Sequence, residues 1–274
     1  DRRGTAEAEY IREKIGEDKV FEITGNPIDP YYCLVKLLWE KNHRPELYKK
    51  TYKVQNASDY PRMRMTGQAV TDYSNASLFG IAYDIRKKKW NEEILEELEL
   101  DPEKLPESFP CDEIVGEVTR EAAEETGLAP GTPVVAGTVD ATAAWAAGGA
   151  VDDGDMSLAM GTAGCMGFIH KNDKFTRGMI TIPHTVDSKE IYTTCAATCA
   201  FGSVTRYFRD TFGEMSVLAA QETGMDAYQI MCSQAEKAPV GSDGLITLPY
   251  FMGERTPMWN PIARGMVFGW SLSH

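Results

Sequence analysis

The chain has 274 residues, enough for two domains, and its 43% hydrophobic and 25% charged residues are those of an ordinary globular protein with a sizeable core. A formal net charge of −13 excludes a nucleic-acid-binding surface, which needs clustered Lys and Arg. It leaves nucleotide binding open, because backbone N–H groups and Mg²⁺ hold phosphates there.

No apolar run approaches the ~20 residues of a membrane helix, and no signal peptide is expected at the start. The chain opens Asp1-Arg2-Arg3 rather than with Met and is expected to be a truncated or processed piece. Six cysteines, at 33, 111, 165, 195, 199 and 232, form no Cys-x-x-Cys pair. They are expected as buried free thiols in a reducing cytoplasm, with Cys195 and Cys199 spaced to share a helix face.

In chain order, Thr5 is placed to cap a helix through Tyr10 and Ile11 that ends near Gly16. Asp29-Pro30 is a start signal for a helix burying Leu34, Leu37, Leu38 and Trp39, and Pro45 opens another. Residues 71–77, Thr-Asp-Tyr-Ser-Asn-Ala-Ser, form a polar turn able to satisfy its own backbone. Asn91 caps a helix through Leu95 and Leu98, and Asp101-Pro102 starts the next turn. Residues 121–126 are helical with Gly127 as the C-cap. The apolar run 132–137 is expected as a buried strand, Asp140 stands at its end, and the Ala-rich stretch beyond is a helix.

The polar break 151–155 places a domain boundary, with 1–152 in a first domain and 153–274 in a second. Short strands follow at 156–160, 166–170 and 190–194, then a helix at 203–212, helices around Leu218 and Tyr228, and a strand at 245–249. The order is that of a mixed α/β protein.

Several positions could carry chemistry. Gly161-Thr162-Ala163-Gly164 follows a strand, where small residues expose N–H groups and a hydroxyl as a phosphate cradle; an ordinary hairpin turn would use the same residues. Asp140 could accept a proton from a substrate hydroxyl or simply cap the following helix. The loop 253–265 holds two Arg, two Pro and Glu254; Arg255 could meet phosphate or pair with Glu254, with pairing favoured. Tyr31 could hydrogen-bond a polyol or pack between domains. His43, His170, His184 and His274 have no spacing that suggests a metal site or triad, and Trp259 and Trp270 are expected to pack.

Taken in order, these segments resemble the FGGY family of carbohydrate kinases over essentially the whole chain. Residues 31–43, with Lys36, Trp39 and Asn42, are similar to its first signature region, although Cys33 and Glu40 are atypical. Residues 71–77 match its TDxSNAS turn, 131–140 its GTPVxxGxxD strand, and 253–265 its GERTPxxxPxARG loop, with Asn260 where Asp is usual.

The resemblance implies a ribonuclease-H-like, actin-like ATPase fold of two α/β domains closing over a cleft, incomplete here at both ends. It implies that 1–152 is part of the sugar-binding domain and 153–274 part of the nucleotide-binding domain. Asp140 is then the catalytic base, Asp1, Arg3 and Tyr31 contact the sugar, and Gly161, Thr162 and Gly202 contact the nucleotide. Ala141 stands where many members carry Asn or Gln. The implied cofactors are ATP and Mg²⁺, with metal ligands unassigned. The implied partner is a small sugar, first a ketose such as xylulose or ribulose, with no nucleic acid or membrane and with room for a homodimer. A non-catalytic sugar-binding or regulatory protein on the same fold is the alternative. The family's N-terminal phosphate motif would lie before residue 1 and its adenosine motif after residue 274, so this piece alone is expected to be inactive.

Overall fold

The computed structural model describes residues 3–260 and 262–272. They form two compact units, Asp1–Ser157 with Gly167–Cys195, and Leu158–Met166 with Ala196–His274. Each unit thus draws on two stretches of sequence, and the polar break at 152–153 lies inside the first.

The core of the first unit is built by short amphipathic helices. Thr5–Lys14 buries Ala8 and Ile11, and Cys33–His43 buries Leu34, Val35, Leu37 and Leu38 at the i, i+3, i+4 spacing of one face. Each fully buried Leu or Ile contributes roughly 1.5–3 kcal/mol. Two helix starts differ from expectation. Gly4, not Thr5, is the N-cap of the first helix. Asp29 does not cap the second: its carboxylate accepts the Tyr31 N–H at 2.8 Å and its carbonyl the Tyr32 N–H at 3.1 Å. That Asx turn delays the helix to Cys33. Other signals act as expected. Pro45 begins Pro45–Lys50, Asn91 caps Glu92–Glu97, and Gly127 at φ 77° ends Arg120–Thr126.

Helices Glu17–Thr24 and Asp59–Thr66 escape the sequence reading, because neither has a side-chain N-cap and the second is mostly polar. The 71–77 segment is likewise a strand end, Val70–Asp72, followed by a helix, Tyr73–Ser77, whose cap is Asp72 accepting from Asn75 N. Val70–Asp72 pairs in parallel with Glu107–Phe109.

Pro133–Val135 is a strand paired antiparallel with Ile114–Glu117 in a two-stranded sheet. It is not buried as expected: with a neighbour on one side only, Val135 is 48% exposed and only Ala136 beyond it is enclosed. The helix Asp140–Ala147 follows. Its Trp145 is fully enclosed against Gly167, where an added Cβ would lie 2.6 Å from the indole.

Four strands make one sheet in the order Met156–Met160, Gly164–His170, Tyr192–Thr198, Ile180–Pro183. The strand Ile180–Pro183, unmarked in the sequence, pairs antiparallel with Tyr192–Cys195 inside the first unit. The second unit continues with helices Gly202–Phe212, Glu214–Thr223 and Ala227–Ala235, and the antiparallel pair Ile246–Leu248 and Met266–Phe268. Cys195 and Cys199 do not share a helix, since Cys195 lies in the strand Tyr192–Thr198 and Cys199 just past it. All six cysteines are free; Cys111 and Cys195 are buried, and Cys232, expected inside, is exposed. Among the described residues no helix is long and apolar enough to cross a membrane.

Candidate functional site

Asp140 is the first residue of its helix rather than its cap. Val139 is the N-cap and makes no side-chain cap bond. The Asp140 carboxylate is exposed and accepts the Ala141 N–H at 2.7 Å. A backbone donor thus orients it at the position where the Ala141 side chain offers nothing. An acid in the first helical turn also gains from the helix dipole.

The loop before Asp140 is held by hydroxyls. Ser74 Oγ accepts the Val139 N–H at 3.0 Å and lies 2.9 Å from Thr138 Oγ1. Thr138 Oγ1 lies 2.6 Å from Thr142 Oγ1 and 2.8 Å from Thr185 Oγ1. Behind them is a buried charge cluster. Arg62 donates to Asp59 and to Val70 O at 3.0 Å, and its Nη1 stands 3.9 Å from Asp72 Oδ2. Burial pushes the Asp59 and Asp72 carboxyls up, opposed at Asp72 by hydrogen bonds from Ser74 and Asn75 and by the Arg62 charge.

On the helix Cys33–His43 and its approach, Tyr31 and Arg3 share a neighbour. Tyr31 is 48% exposed with Lys36 Nζ 5.3 Å from its ring centre, whereas Tyr32 is enclosed and bonds Asn26 Oδ1 at 3.3 Å. The Arg3 guanidinium lies 4.3 Å over Trp39, and Lys36 lines the same small cleft. Asp1 lies outside the described residues. Beside this cleft a cavity of about 350 Å³ is lined by Cys33, Lys36, Glu40 and Lys53 among others.

In the second unit, Gly161, Thr162 and Gly202 come together. Gly202 N donates to Gly161 O at 2.9 Å, and Ser203 Oγ donates to Thr162 O at 3.0 Å. A Cβ on Gly202 would sit 2.7 Å from Gly161 O, so only glycine permits this approach of loop and helix start. The three residues line a cavity of about 500 Å³ with Met160, Ser203, Arg206, Tyr207 and Asp210. Arg206 was missed in the sequence; one helical turn past Gly202, it brings a cation to the cavity and pairs at 3.7 Å with Asp210. A glycine turn, a hydroxyl, a helix N-terminus and a guanidinium suit phosphate.

The 253–265 loop serves a structural end. Glu254 does not pair with Arg255 through its guanidinium. Its buried carboxylate accepts Thr198 Oγ1 at 2.9 Å and the backbone N–H groups of Arg255 at 2.7 Å and Cys199 at 3.3 Å. Thr256 adds bonds to Ala197, pinning the loop to the strand end. His184 is fully buried and His170 half-buried on Thr193 and Thr194, with burial lowering both pKa values, in line with core roles. Among the described residues no group of three or more His, Cys, Asp or Glu could hold a metal ion.

The profile described as FGGY family of carbohydrate kinases, N-terminal domain, matches residues 1–147, and that of the C-terminal domain matches residues 156–274. A gluconokinase from Bacillus subtilis (strain 168) is 30% identical over 283 aligned positions, covering 100% of this chain and 53% of its own. A xylulose kinase from the same organism is 29% identical, covering 100% and 52%. The crystal structure of xylulose kinase from Rhodospirillum rubrum superposes with a TM-score of 0.87 at 30% identity, covering 99% of this chain and 53% of that one. The chain therefore spans about half the length of the curated relatives it matches.

Proposed function

The chain belongs to the FGGY family of carbohydrate kinases and has their actin-like ATPase fold, and from that premise we propose that its protein phosphorylates a sugar hydroxyl with ATP, using Asp140 as general base. The observation that carries this reading is the cavity lined by Gly161, Thr162, Gly202 and Arg206, whose groups suit phosphate, in the chain that also holds an exposed, backbone-oriented carboxylate at a helix start. Asp140 takes the proton from the attacking hydroxyl, the freed oxygen bonds to the γ-phosphorus, and ADP leaves. Such transfer depends on positioning and charge stabilisation, which the glycine turn, Thr162 and Arg206 would supply to the phosphates. Asp1, Arg3 and Tyr31 are the proposed sugar contacts, and residues 1–152 and 153–274 the proposed sugar- and nucleotide-binding parts.

Kinases of this family use ATP, generally with a divalent metal. The described residues form no metal cage of their own, and Mg²⁺ would be carried by the nucleotide phosphates, as is usual for that ion. The proposed setting is the cytoplasm, and the proposed substrate a ketose such as xylulose or ribulose. A sugar acid is the second reading, favoured by the 30% identity to a gluconokinase over the whole chain.

The test is coupled ADP release by the full-length gene product with xylulose, ribulose, gluconate and a panel of polyols. Asp140→Asn is expected to lower the best rate by at least ~100-fold. Turnover that survives the change removes Asp140 as base. Sugar binding without any ADP release would instead identify a sugar sensor.

A further inference from the structure

Asp140 sits where its backbone puts it, and the backbone just before it leaves the strand Pro133–Val135. Ala136 N and Gly137 N still find carbonyls, at Glu113 (2.8 Å) and Cys111 (2.9 Å). Gly137 turns the chain at φ 86°, with Arg62 Nη1 3.4 Å from where a Cβ would stand. Beyond it, side chains take over from the ladder.

The direction of these bonds can be worked out. Asp72 accepts Asn75 N at 2.9 Å and Asn75 Nδ2 at 2.6 Å, and faces Arg62, which are contacts of an ionised carboxylate. An ionised carboxylate can only accept, so the single hydrogen of Ser74 Oγ goes to Asp72. The lone pairs of Ser74 Oγ are thereby turned towards Val139 N–H and Thr138. Thr142, fully buried in the first turn of the Asp140 helix, has a single hydrogen within reach of both Val139 O (2.8 Å) and Thr138 Oγ1 (2.6 Å), and with Thr138 donating to Ser74 it serves one of the two at a time.

We propose that Ser74 is a positioning residue for Asp140: set by Asp72, it fixes the Val139 amide and with it the first turn that carries the proposed base. The inference rests on the reading of Asp140 given above. A second, independent feature of the site agrees with it. The fourth hydroxyl, Thr185, also meets Thr138 Oγ1 (2.8 Å), so the residue two before Asp140 is held by two distant stretches of chain, at Ser74 and at Thr185. A misplacement of about 1 Å at a reacting group costs on the order of 100-fold in rate, so loss of such a grip is read in kcat before binding.

The experiment uses the full-length gene product and the sugar that supports ADP release best. Ser74→Ala is expected to lower kcat roughly 10- to 100-fold while the KM values for ATP and sugar stay within about twofold. Ser74→Thr, which keeps the hydroxyl, should restore most of the rate. Ser77→Ala is the control. Ser77 is as buried, on the same short helix, but its hydroxyl bonds Ser74 O at 2.7 Å and not the Asp140 loop, so its kcat should hold. If Ser74→Ala does not fold, Thr138→Val is read in its place by the same criteria. The proposal is overturned if Ser74→Ala keeps the parent kcat, if Ser77→Ala loses as much, or if Ser74→Thr does not recover, in each case with Asp140→Asn still inactive. Full activity of Asp140→Asn would instead bring down the assignment of the base.

Discussion

Lys88 lies in the turn of the hairpin Tyr83–Asp84 and Lys89–Trp90 at φ 56°, with its Nζ shut off from water, no hydrogen-bond acceptor, and the Tyr192 ring centre at 4.2 Å. Burial lowers its pKa to about 8, against the pull of Cys111, Glu190, Asp187 and Asp84. Below pH 8 the amine is charged in both folded and unfolded chains, and the folded state bears the desolvation. Between about 8 and 10.5 the unfolded chain binds more protons, so stability rises with pH in that window. Lys88→Met keeps the apolar stem, and its denaturation midpoint should lack the part of this rise that Lys88 causes. Parallel midpoints for parent and variant from pH 7 to 10 would refute the assignment. The same burial argument explains why Tyr32, and not its neighbour Tyr31, is the packed member of the pair, with its hydroxyl pKa pushed well up. Side by side in sequence, the two differ only in which one the Asx turn at Asp29 points inward.

At the scale of elements, some helix starts with a capping side chain or a leading proline are legible: Asn91, Asp101 and Pro45 act where the sequence puts them, whereas Thr5 and Asp29-Pro30 do not. Helices opened by glycine or without a cap, such as Glu17–Thr24, are not, because tertiary packing rather than local chemistry ends their solvent exposure. The strand Pro133–Val135 reads as buried from its apolar run, yet burial depends on how many partners the sheet supplies, and this one has two strands. The junction of the glycine turn and the helix Gly202–Phe212 gives a prediction. Gly202→Ala places a methyl 2.7 Å from a backbone oxygen, which cannot swing away as a side chain would. Overpacking of this kind costs about 1–3 kcal/mol. Spent on opening the proposed phosphate cavity, it should raise the KM for ATP roughly tenfold with the KM for sugar unchanged. An unaltered KM for ATP would detach Gly202 from nucleotide binding.

At the scale of the whole molecule the two units are unlike. The first encloses a continuous apolar core from Ala8 to Leu105. The second leaves large apolar side chains in contact with water, among them Phe212 at 66%, Met215 at 76% and Phe268 at 65% exposure. Apolar side chains exposed in this number are more than a monomeric surface usually leaves to water. A polypeptide of residues 1–274 by itself is therefore expected to bind a hydrophobic dye strongly and to associate at micromolar concentration despite its charge of −13. Phe212→Glu should reduce both signals; if it changes neither, this surface is not their source.

The order of motifs along the chain was enough to identify the family, the α/β class and the identity of Asp140 as the proposed base, since each motif is a local pattern of residue types. It also marked Gly161, Thr162 and Gly202 as one group, which the structure brings to a single cavity. Only the tertiary structure decided that Arg206 joins them, that Glu254 bonds Thr198 and backbone amides, and that Ser74 reaches across 65 positions to Val139. These are pairings between distant stretches of chain. A hydroxyl or carboxylate carries no mark in its local sequence of which remote donor it will meet. That is settled when buried polar groups, too costly to leave unpaired, find one another as the core closes.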